Sequence, residues 1–405
     1  MRQNLVIKHG RTPDDVARVG EFLEPIFGHW RDYLGSHPDV RAPECVRYIE
    51  SDGEIVSAHV IERMELSFAD GWIPAARVEW VATRESFRRQ GLCRRLMEDS
   101  ITWLKSEGTH VVVIFGEPLF RRLGFEYCIP SYEQTMPDYT PPGSHIIPTR
   151  ALERFHERQA ISPASETDLP DMARLHEADN PQGNLSRRRP AYYWQYLVHS
   201  KGIGTYSAVR TGGALSGYFR VQAGERAVHV REVVARDEEA CSTIVAAVHQ
   251  LAQAHAAETV VFHCPHSGTF GAYVRIHGAA AHWPHAQRET NLQMRVLDLA
   301  GCLKGLQSHL SRRLRRSDLC SLEGRYNIVT ENSSVGLCLR DGEVTVIDEA
   351  EGGEDIALPD KIMAQLLSGF HVERPNHLSD SNAVHNRLIE TMFPPGEPYW
   401  YVDDL

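Results

Sequence analysis

The 405-residue chain has no apolar run long enough to cross a membrane as a helix. Its N-terminus, Met1-Arg2-Gln3-Asn4-Leu5-Val6-Ile7, has neither the extended apolar core nor the small-residue cleavage site of a secretory signal. C-x-x-C pairs are missing too: the eight cysteines, at positions 45, 93, 128, 241, 264, 302, 320 and 338, are scattered. That spacing speaks against a disulfide framework and suits free thiols in a reducing cytoplasm. Positive charge is in deficit, with 43 Lys and Arg against 54 Asp and Glu and a net charge of −11. Such a balance argues against general nucleic-acid binding and leaves room for cationic partners such as amines. The expectation is a cytoplasmic protein with neither a membrane nor a nucleic-acid partner.

What is present is an ordinary globular composition, 42% hydrophobic and 24% charged, over a length too great for a single core. Three units are expected, at 1–150, 151–300 and 301–405. In the first, Thr12-Pro13-Asp14-Asp15 reads as a capped helix start, and the helix runs to Phe27. Strands at 44–50 and 54–67 follow, joined through Asp52-Gly53. The stretch Asp138-Tyr139-Thr140-Pro141-Pro142-Gly143-Ser144 breaks regularity before the second unit. That unit repeats the element order. Helical segments at Asp168–Asp179 and Ala191–His199 precede a hairpin across Thr211-Gly212-Gly213, a strand from Ala227 to Ala235, a helix from Glu238 and a strand from Thr259 to His263. Phe270-Gly271-Ala272-Tyr273-Val274-Arg275-Ile276-His277-Gly278 echoes Leu119-Phe120-Arg121-Arg122-Leu123-Gly124, which points to an internal duplication. The last unit opens with a helix from Cys302 to Arg316. Strands at 323–330, 335–340 and 343–348 follow, then helices ending at Gly369 and Met392. The terminal aromatics Tyr399, Trp400 and Tyr401 call for a docking surface. The fold class is α/β (α+β) with mixed sheets.

Residues 81–97 carry the most chemistry. A strand ending at Val81-Ala82-Thr83 meets the loop Arg88-Arg89-Gln90-Gly91-Leu92-Cys93, which opens a helix with an apolar stripe at Cys93, Leu96, Met97, Ile101 and Leu104. Glycine lets the backbone approach a ligand, the helix start presents N–H groups at the positive end of its dipole, and the arginines add charge. This is a polyphosphate cradle. At the matching place in the second unit stands Ala235-Arg236-Asp237-Glu238-Glu239-Ala240, whose acids would repel a pyrophosphate.

Arg88-x-x-Gly91-x-Cys93 resembles the acetyl-coenzyme A loop of the GNAT superfamily of N-acyltransferases, Arg/Gln-x-x-Gly-x-Gly/Ala, with cysteine at the last small position. Val81-Ala82-Thr83, Phe87 and the run Leu119 to Phe125 resemble that superfamily's V-A-T, its tyrosine and its F-Y-x-x-x-G-F. Over its whole length the chain resembles the enhanced-intracellular-survival (Eis) family. There an active GNAT unit, a second copy and a sterol-carrier-protein-like unit follow one another. Asn291 to Asp298 is similar to the family's crossing into the third unit, and Met392-Phe393-Pro394 to its closing motif. The resemblance implies acetyl-CoA as co-substrate and N-acetylation of primary amines, whether aminoglycoside-, polyamine- or lysine-like. It also implies assembly as a homohexamer. The cofactor would be held by Val81, Ala82, Thr83, Arg88, Arg89, Gln90, Gly91, Leu92, Cys93 and Arg94, and the second unit would bind none.

The resemblance also assigns catalytic positions. Glu79 matches the glutamate that many superfamily members use as general base; a solvated strand face is the competing reading. In the Eis family the base is the C-terminal carboxylate, here that of Leu405, and the acid is a tyrosine at the position of Phe120, which has no proton to give. Tyr127 is the nearest phenol. Phe27, Trp30 and Tyr33 line the acceptor groove or simply pack. His263-Cys264-Pro265-His266 fits no standard zinc spacing, so no metal is expected, and Arg312-Arg313-Leu314-Arg315-Arg316 reads as a solvated helix face. Two alternatives stay open: an acyltransferase for protein or peptide amines, and a non-catalytic acyl-CoA-binding sensor.

Overall fold

A computed structural model describes residues 5–28, 42–68, 71–116, 118–128, 144–156, 159–179, 185–199, 204–224, 226–265, 268–282, 292–348, 351–369 and 383–395. The chain divides into two compact units, one made of Met1–Leu66, Gly71–Ile129 and Thr290–Pro395, the other of Ser67–Asp70, Pro130–Glu289 and Gly396–Leu405.

The first unit begins with strand β1 (Leu5–His9) and helix α1 (Pro13–Phe27). Thr12 caps α1 in a full capping box with Asp15, Pro13 takes the first helical position, and Gly28 closes the helix at φ 80°. Strands β2 (Val46–Ser51) and β3 (Glu54–Phe68) form the expected hairpin, with Asp52 and Gly53 both left-handed as a tight two-residue turn requires. Next come β4 (Gly71–Thr83), α2 (Leu92–Ser106), β5 (Val111–Phe115) and the short β6 (Glu126–Tyr127). A seventh strand, β14 (Leu292–Val296), enters from much later in the chain, and the sheet order is β1-β2-β3-β4-β5-β14-β6. Within it β4 and β5 run parallel, and β1–β2, β2–β3, β5–β14 and β14–β6 antiparallel.

Both faces of this sheet are covered. On one, α1 buries Val16, Val19 and Leu23 against Tyr48, Ala58, Val60 and Ala82. On the other, α2 buries Met97, Ile101 and Leu104 against Ile61, Ala76, Val78, Val112 and Ile114. Each fully buried aliphatic side chain there contributes about 1.5–3 kcal/mol.

In the second unit β7 (Ser144–Pro148) precedes β8 (Ala160–Pro163), helices α3 (Leu169–Asp179) and α4 (Ala191–His199), and the antiparallel β9 (Thr205–Thr211), β10 (Ala214–Ala223) and β11 (Ala227–Ala235). Helix α5 (Glu238–Ala254), β12 (Thr259–His263), α6 (Thr269–Ile276) and β13 (Ala280–His282) complete it. The order is β13-β7-β12-β11-β10-β9-β8, with β11 and β12 parallel. Read from the parallel pair outward, the two sheets have the same design, as the duplicated sequence pattern suggested.

The sixth strands, counted from the β1 and β8 edges, are exchanged, however. β7 follows the first unit's β6 along the chain yet hydrogen-bonds to β12 and β13, while β14 follows β13 yet lies between β5 and β6. A boundary at 150 puts β7 with the first sheet and one at 300 puts β14 with the second; the hydrogen bonds run the other way.

The C-terminal segment groups with the first unit. Helix α7 (Leu299–Arg315), capped by Asp298, lies against both β4 and β17 (Glu343–Ile347). With β15 (Gly324–Val329), β16 (Ser334–Arg340) and β18 (Glu354–Ala357), β17 forms a four-stranded sheet in the order β17-β16-β15-β18, followed by α8 (Asp360–Ser368) and α9 (Ala383–Met392). The Asp341-Gly342 turn and the stop at Gly369 are where the sequence places them; β18, a four-residue strand parallel to β15, carries no sequence signal of its own. All eight cysteines are free thiols. Among the described residues no helix is long and apolar enough to cross a membrane.

Candidate active site

Strands β4 and β5 pair only from Ala75–Val111 to Val78–Ile114. β5 stops at Phe115, whereas β4 continues to Thr83. Among the described residues the pairing with β5 thus ends at Val78, while β4 runs on to Thr83, where an extended ligand arm could lie along it. The tip of β4 is held from its other side, where the Ser57 hydroxyl donates to the Ala82 carbonyl at 3.1 Å and lies 2.9 Å from the Thr83 hydroxyl. Ala82 is packed under α1 and Val81 against the α2 cluster.

Beyond Thr83 a single 3-10 turn (Glu85–Phe87) leads into Arg88, whose Nε donates back to the Thr83 carbonyl at 3.3 Å. Arg89 and Gly91 are left-handed, at φ 61° and 76°. Gly91 is the N-cap of α2, and the helix start carries neither a side-chain cap nor an acid in its first turn. A Cβ at Gly91 would meet nothing within 4 Å, so glycine answers a backbone requirement and the space in front of the helix stays open. Leu92 anchors the turn against Ile49 and Val56. Half-buried Cys93 packs on the α2 side, where burial pushes its thiol up, so it serves the loop through its backbone. Arg88, Arg89 and Gln90 are exposed, and Arg94 pairs with Glu98 on the helix surface.

The second unit inverts each of these features at α5. Its N-cap is Asp237, whose Oδ1 accepts the Ala240 N–H at 2.9 Å, and Glu238 and Glu239 fill the first turn. A phosphate at α2 would meet bare N–H groups and arginines; at α5 it would meet a carboxylate already in its place. The residues present fit a pyrophosphate in the first unit alone.

Glu79 stands at the point where β4 leaves β5. Its Oε1 lies 2.7 Å from Nε of Arg77, and Nη2 of Arg77 lies 2.8 Å from Oε2 of Glu62. Arg77 and Glu62 have 1% and 0% of their side-chain surface exposed, Glu79 18%. A buried ion pair thus holds a second, part-open carboxylate where β4 leaves β5. Sequence reading missed Arg77 and Glu62; the available signal was two opposite charges on the interior-facing rows of strands otherwise built of apolar residues.

Among the described residues, Phe120 and Tyr127 do not gather around Glu79. Phe120 is buried in the α2-side core, with its ring edge-on to Phe125 at 6.2 Å between centroids. Tyr127 lies on β6, separated from β5 by β14, so its backbone stands about two strand spacings, roughly 10 Å, from β5. Its ring lies under the Arg121 guanidinium. Phe27, by contrast, does reach the site, edge-on to Trp80 at 5.1 Å. Trp30, Tyr33 and Leu405 lie outside the described residues. His263 sits 3.3 Å from His229 inside the second unit; among the described residues no three His, Cys, Asp or Glu come together as a metal site.

Residues 18–128 match the family model of the acetyltransferase (GNAT) domain. A comparison with curated proteins finds no match. Among solved structures, a GCN5-related N-acetyltransferase from Kribbella flavida is similar over 98% of each chain, with a TM-score of 0.75 and 16% identity. One from Anabaena variabilis is similar over 98% of this chain and 99% of that one, with a TM-score of 0.74 and 14% identity. Eis1 from Mycobacterium abscessus covers the same shares at a TM-score of 0.65 and 15% identity. At such identities the likeness is one of fold, and it extends over nearly the whole chain. The segment with the cradle and Glu79 is therefore a GNAT acetyltransferase domain, and the protein is an enzyme of the N-acetyltransferase class.

Proposed function

We propose that the protein transfers an acetyl group from acetyl-CoA to a primary amine by direct attack. The observation that carries this reading is the union, in one unit, of a strand that parts from its parallel neighbour and a glycine-capped, arginine-flanked helix start. The pyrophosphate would rest on the N–H groups of Leu92 to Arg94 with Arg88 and Arg89 beside it, and the pantetheine arm would run along Val81 to Thr83. Glu79 takes a proton from the ammonium so that the nitrogen lone pair can attack the thioester carbonyl. The C–N bond forms as the C–S bond breaks, and the departing thiolate takes the second amine proton, directly or through water. No side-chain acid is needed, which accommodates a phenylalanine at position 120. The Leu405 carboxylate is a second candidate base, as in the Eis family. The second unit serves as a scaffold without cofactor, the C-terminal sheet and helices as a sterol-carrier-protein-like unit, and the assembly as a homohexamer in the cytoplasm.

A sensor that binds acyl-CoA and turns nothing over is favoured by the burial of Phe120, since the family's acid is gone. One experiment separates the two. Thiol release from acetyl-CoA, followed across a panel of primary amines, should show amine-dependent turnover, and calorimetry should give a coenzyme A affinity that Gly91→Asp abolishes and Arg236→Ala preserves. Tight binding without turnover on any amine would establish the sensor; unchanged affinity in folded Gly91→Asp would remove the cradle from both readings.

A further inference from the structure

Strand β4 does not alternate cleanly. Ala76 and Val78 face the α2 side, so Arg77 and Glu79 face the α1 side. Strict alternation would send Trp80 and Ala82 back to the α2 side, yet both pack with the α1 cluster. The switch is at Trp80, whose φ of 55° is left-handed. A bulky residue enters that region only when its surroundings impose it, and such positions gather at functional sites. The effect is that of a bulge: two consecutive side chains, Glu79 and Trp80, stand side by side on one face.

Other aromatic groups meet there. Phe27, at the end of α1, touches the Trp80 ring edge-on and keeps 39% of its own surface exposed. Phe22 packs on the same side. Across the gap, Phe115 follows Ile114, the last β5 residue paired with β4, so it shares the face of Glu79; it too is 39% exposed. A part-open carboxylate thus adjoins an indole that carries the Phe27 ring, with Phe115 on the same sheet face, at the place where the proposed transfer would occur.

Resting on the acetyltransferase reading above, we propose that the acceptor is a primary amine carried on an apolar or aromatic body, and that Trp80 determines this specificity. The chemistry is complementary on both counts. An incoming ammonium is drawn to the Glu79 carboxylate and to the indole face, while the carrier is removed from water between the rings of Trp80, Phe27 and Phe115. Trp80 itself exchanges no proton. It seats the amine beside the group that does.

The test compares two primary monoamines that differ in the body, 2-phenylethylamine and ethanolamine, in acetyl transfer from acetyl-CoA by the full chain. Native protein should prefer 2-phenylethylamine in kcat/KM by roughly tenfold or more, through KM. Trp80→Ala should erase that preference, lowering kcat/KM for 2-phenylethylamine far more than for ethanolamine, with coenzyme A affinity as it was; Trp80→Phe should keep most of it. If Trp80→Ala does not fold, Phe27→Ala at the exposed rim should lower the preference by a smaller factor. Equal rates on the two amines, a preference that survives in folded Trp80→Ala, or one that Phe27→Ala leaves undiminished, would overturn the proposal. Calorimetric titration of 2-phenylethylamine into the coenzyme A complex keeps the seat testable apart from the reaction. Trp80-dependent binding without turnover supports the seat while refuting the transferase reading, and no binding at all refutes the seat.

Discussion

Arg77 offers the sharpest quantitative test of the site. Its guanidinium bridges Glu62 and Glu79 at 2.8 and 2.7 Å and is 1% exposed. Arg77→Met keeps much of the length of the side chain and removes its charge, which leaves the fully buried Glu62 carboxylate without its guanidinium partner. Breaking a buried ion pair from one side costs about 3–5 kcal/mol, whereas removing both charges together is often neutral. With urea slopes of roughly 1–3 kcal/mol per molar, the unfolding midpoint of the first unit should fall by about 1 M or more in Arg77→Met. The double variant Glu62→Gln/Arg77→Met should recover most of that loss. Catalysis should not recover. Glu79 loses its holder in both variants, and a carboxylate displaced by about 1 Å can lower kcat by up to roughly 100-fold. The assay is urea denaturation followed by circular dichroism, with kcat and coenzyme A affinity measured on the same preparations. A double variant that is stable, binds coenzyme A and turns over at the native rate would refute the positioning argument. A single variant within about 0.5 kcal/mol of native would refute the energetic one.

The exchanged strands make a paired prediction. Met294→Asp in β14, where the native side chain is fully buried, should cost on the order of 4 kcal/mol or more and abolish coenzyme A binding from some 200 positions away. Ile147→Asp in β7 should instead open protease sites in the second unit; limited proteolysis with binding assays distinguishes the two, and a reversed pattern contradicts the exchange. Acid stability should show two components. Burial pushes His59 down to about 3, so between the ordinary histidine value of 6.5 and about 3 the unfolded chain takes up a proton that the folded one refuses. Stability therefore falls as pH drops through that window, and His59→Gln should flatten the fall. Burial pushes Asp15 up, but hydrogen bonds from Tyr48, Arg11 and Thr12 outweigh it and hold the carboxyl at about 2. Its contribution is full above about pH 4 and lost as pH falls through 2; a melting curve of Asp15→Asn with the same acid slope as native would contradict this.

Local chemistry was well legible. Thr12-Pro13-Asp14-Asp15, Asp52-Gly53, Gly212-Gly213 and Asp341-Gly342 each dictate a cap or a turn through a few adjacent residues, and the helices and hairpins fall where those signals put them. The cradle was legible for the same reason: Gly91 and the arginines before it lie within four positions of one another, and the loop works through its own backbone and those adjacent side chains. Partners set by tertiary structure were not. That Arg77 meets Glu62 depends on β3 lying beside β4, and no spacing along the chain announces it. Trp80 is concealed more thoroughly, because period-2 reasoning assigns it to the wrong face and a left-handed tryptophan leaves no trace in composition. Neither Ser144–Pro148 nor Leu292–Val296 was legible as a strand, because pairing across 177 positions, as between Leu292 and Phe115, is invisible to any local pattern.

The comparison between the two copies says more about function than either does alone. Both keep a parallel strand pair joined through a helix, so the framework that can hold a cofactor is present twice. What differs is the first turn of that helix. In the first unit the glycine cap leaves the N–H groups unclaimed, and a helix start with no internal partner for its first N–H groups is stabilised by whatever anion arrives. In the second unit Asp237 supplies that anion from the chain itself, which stabilises the helix by about 1 kcal/mol at every moment, with or without ligand. A duplicated domain relieved of ligand binding gains stability by filling its own site, and one still under selection for binding cannot. On the proposed function the bare cap at Gly91 is a cost that a bound ligand offsets, and with Glu79 and Trp80 standing together where β4 leaves β5, that reading assigns the chemistry to the first unit.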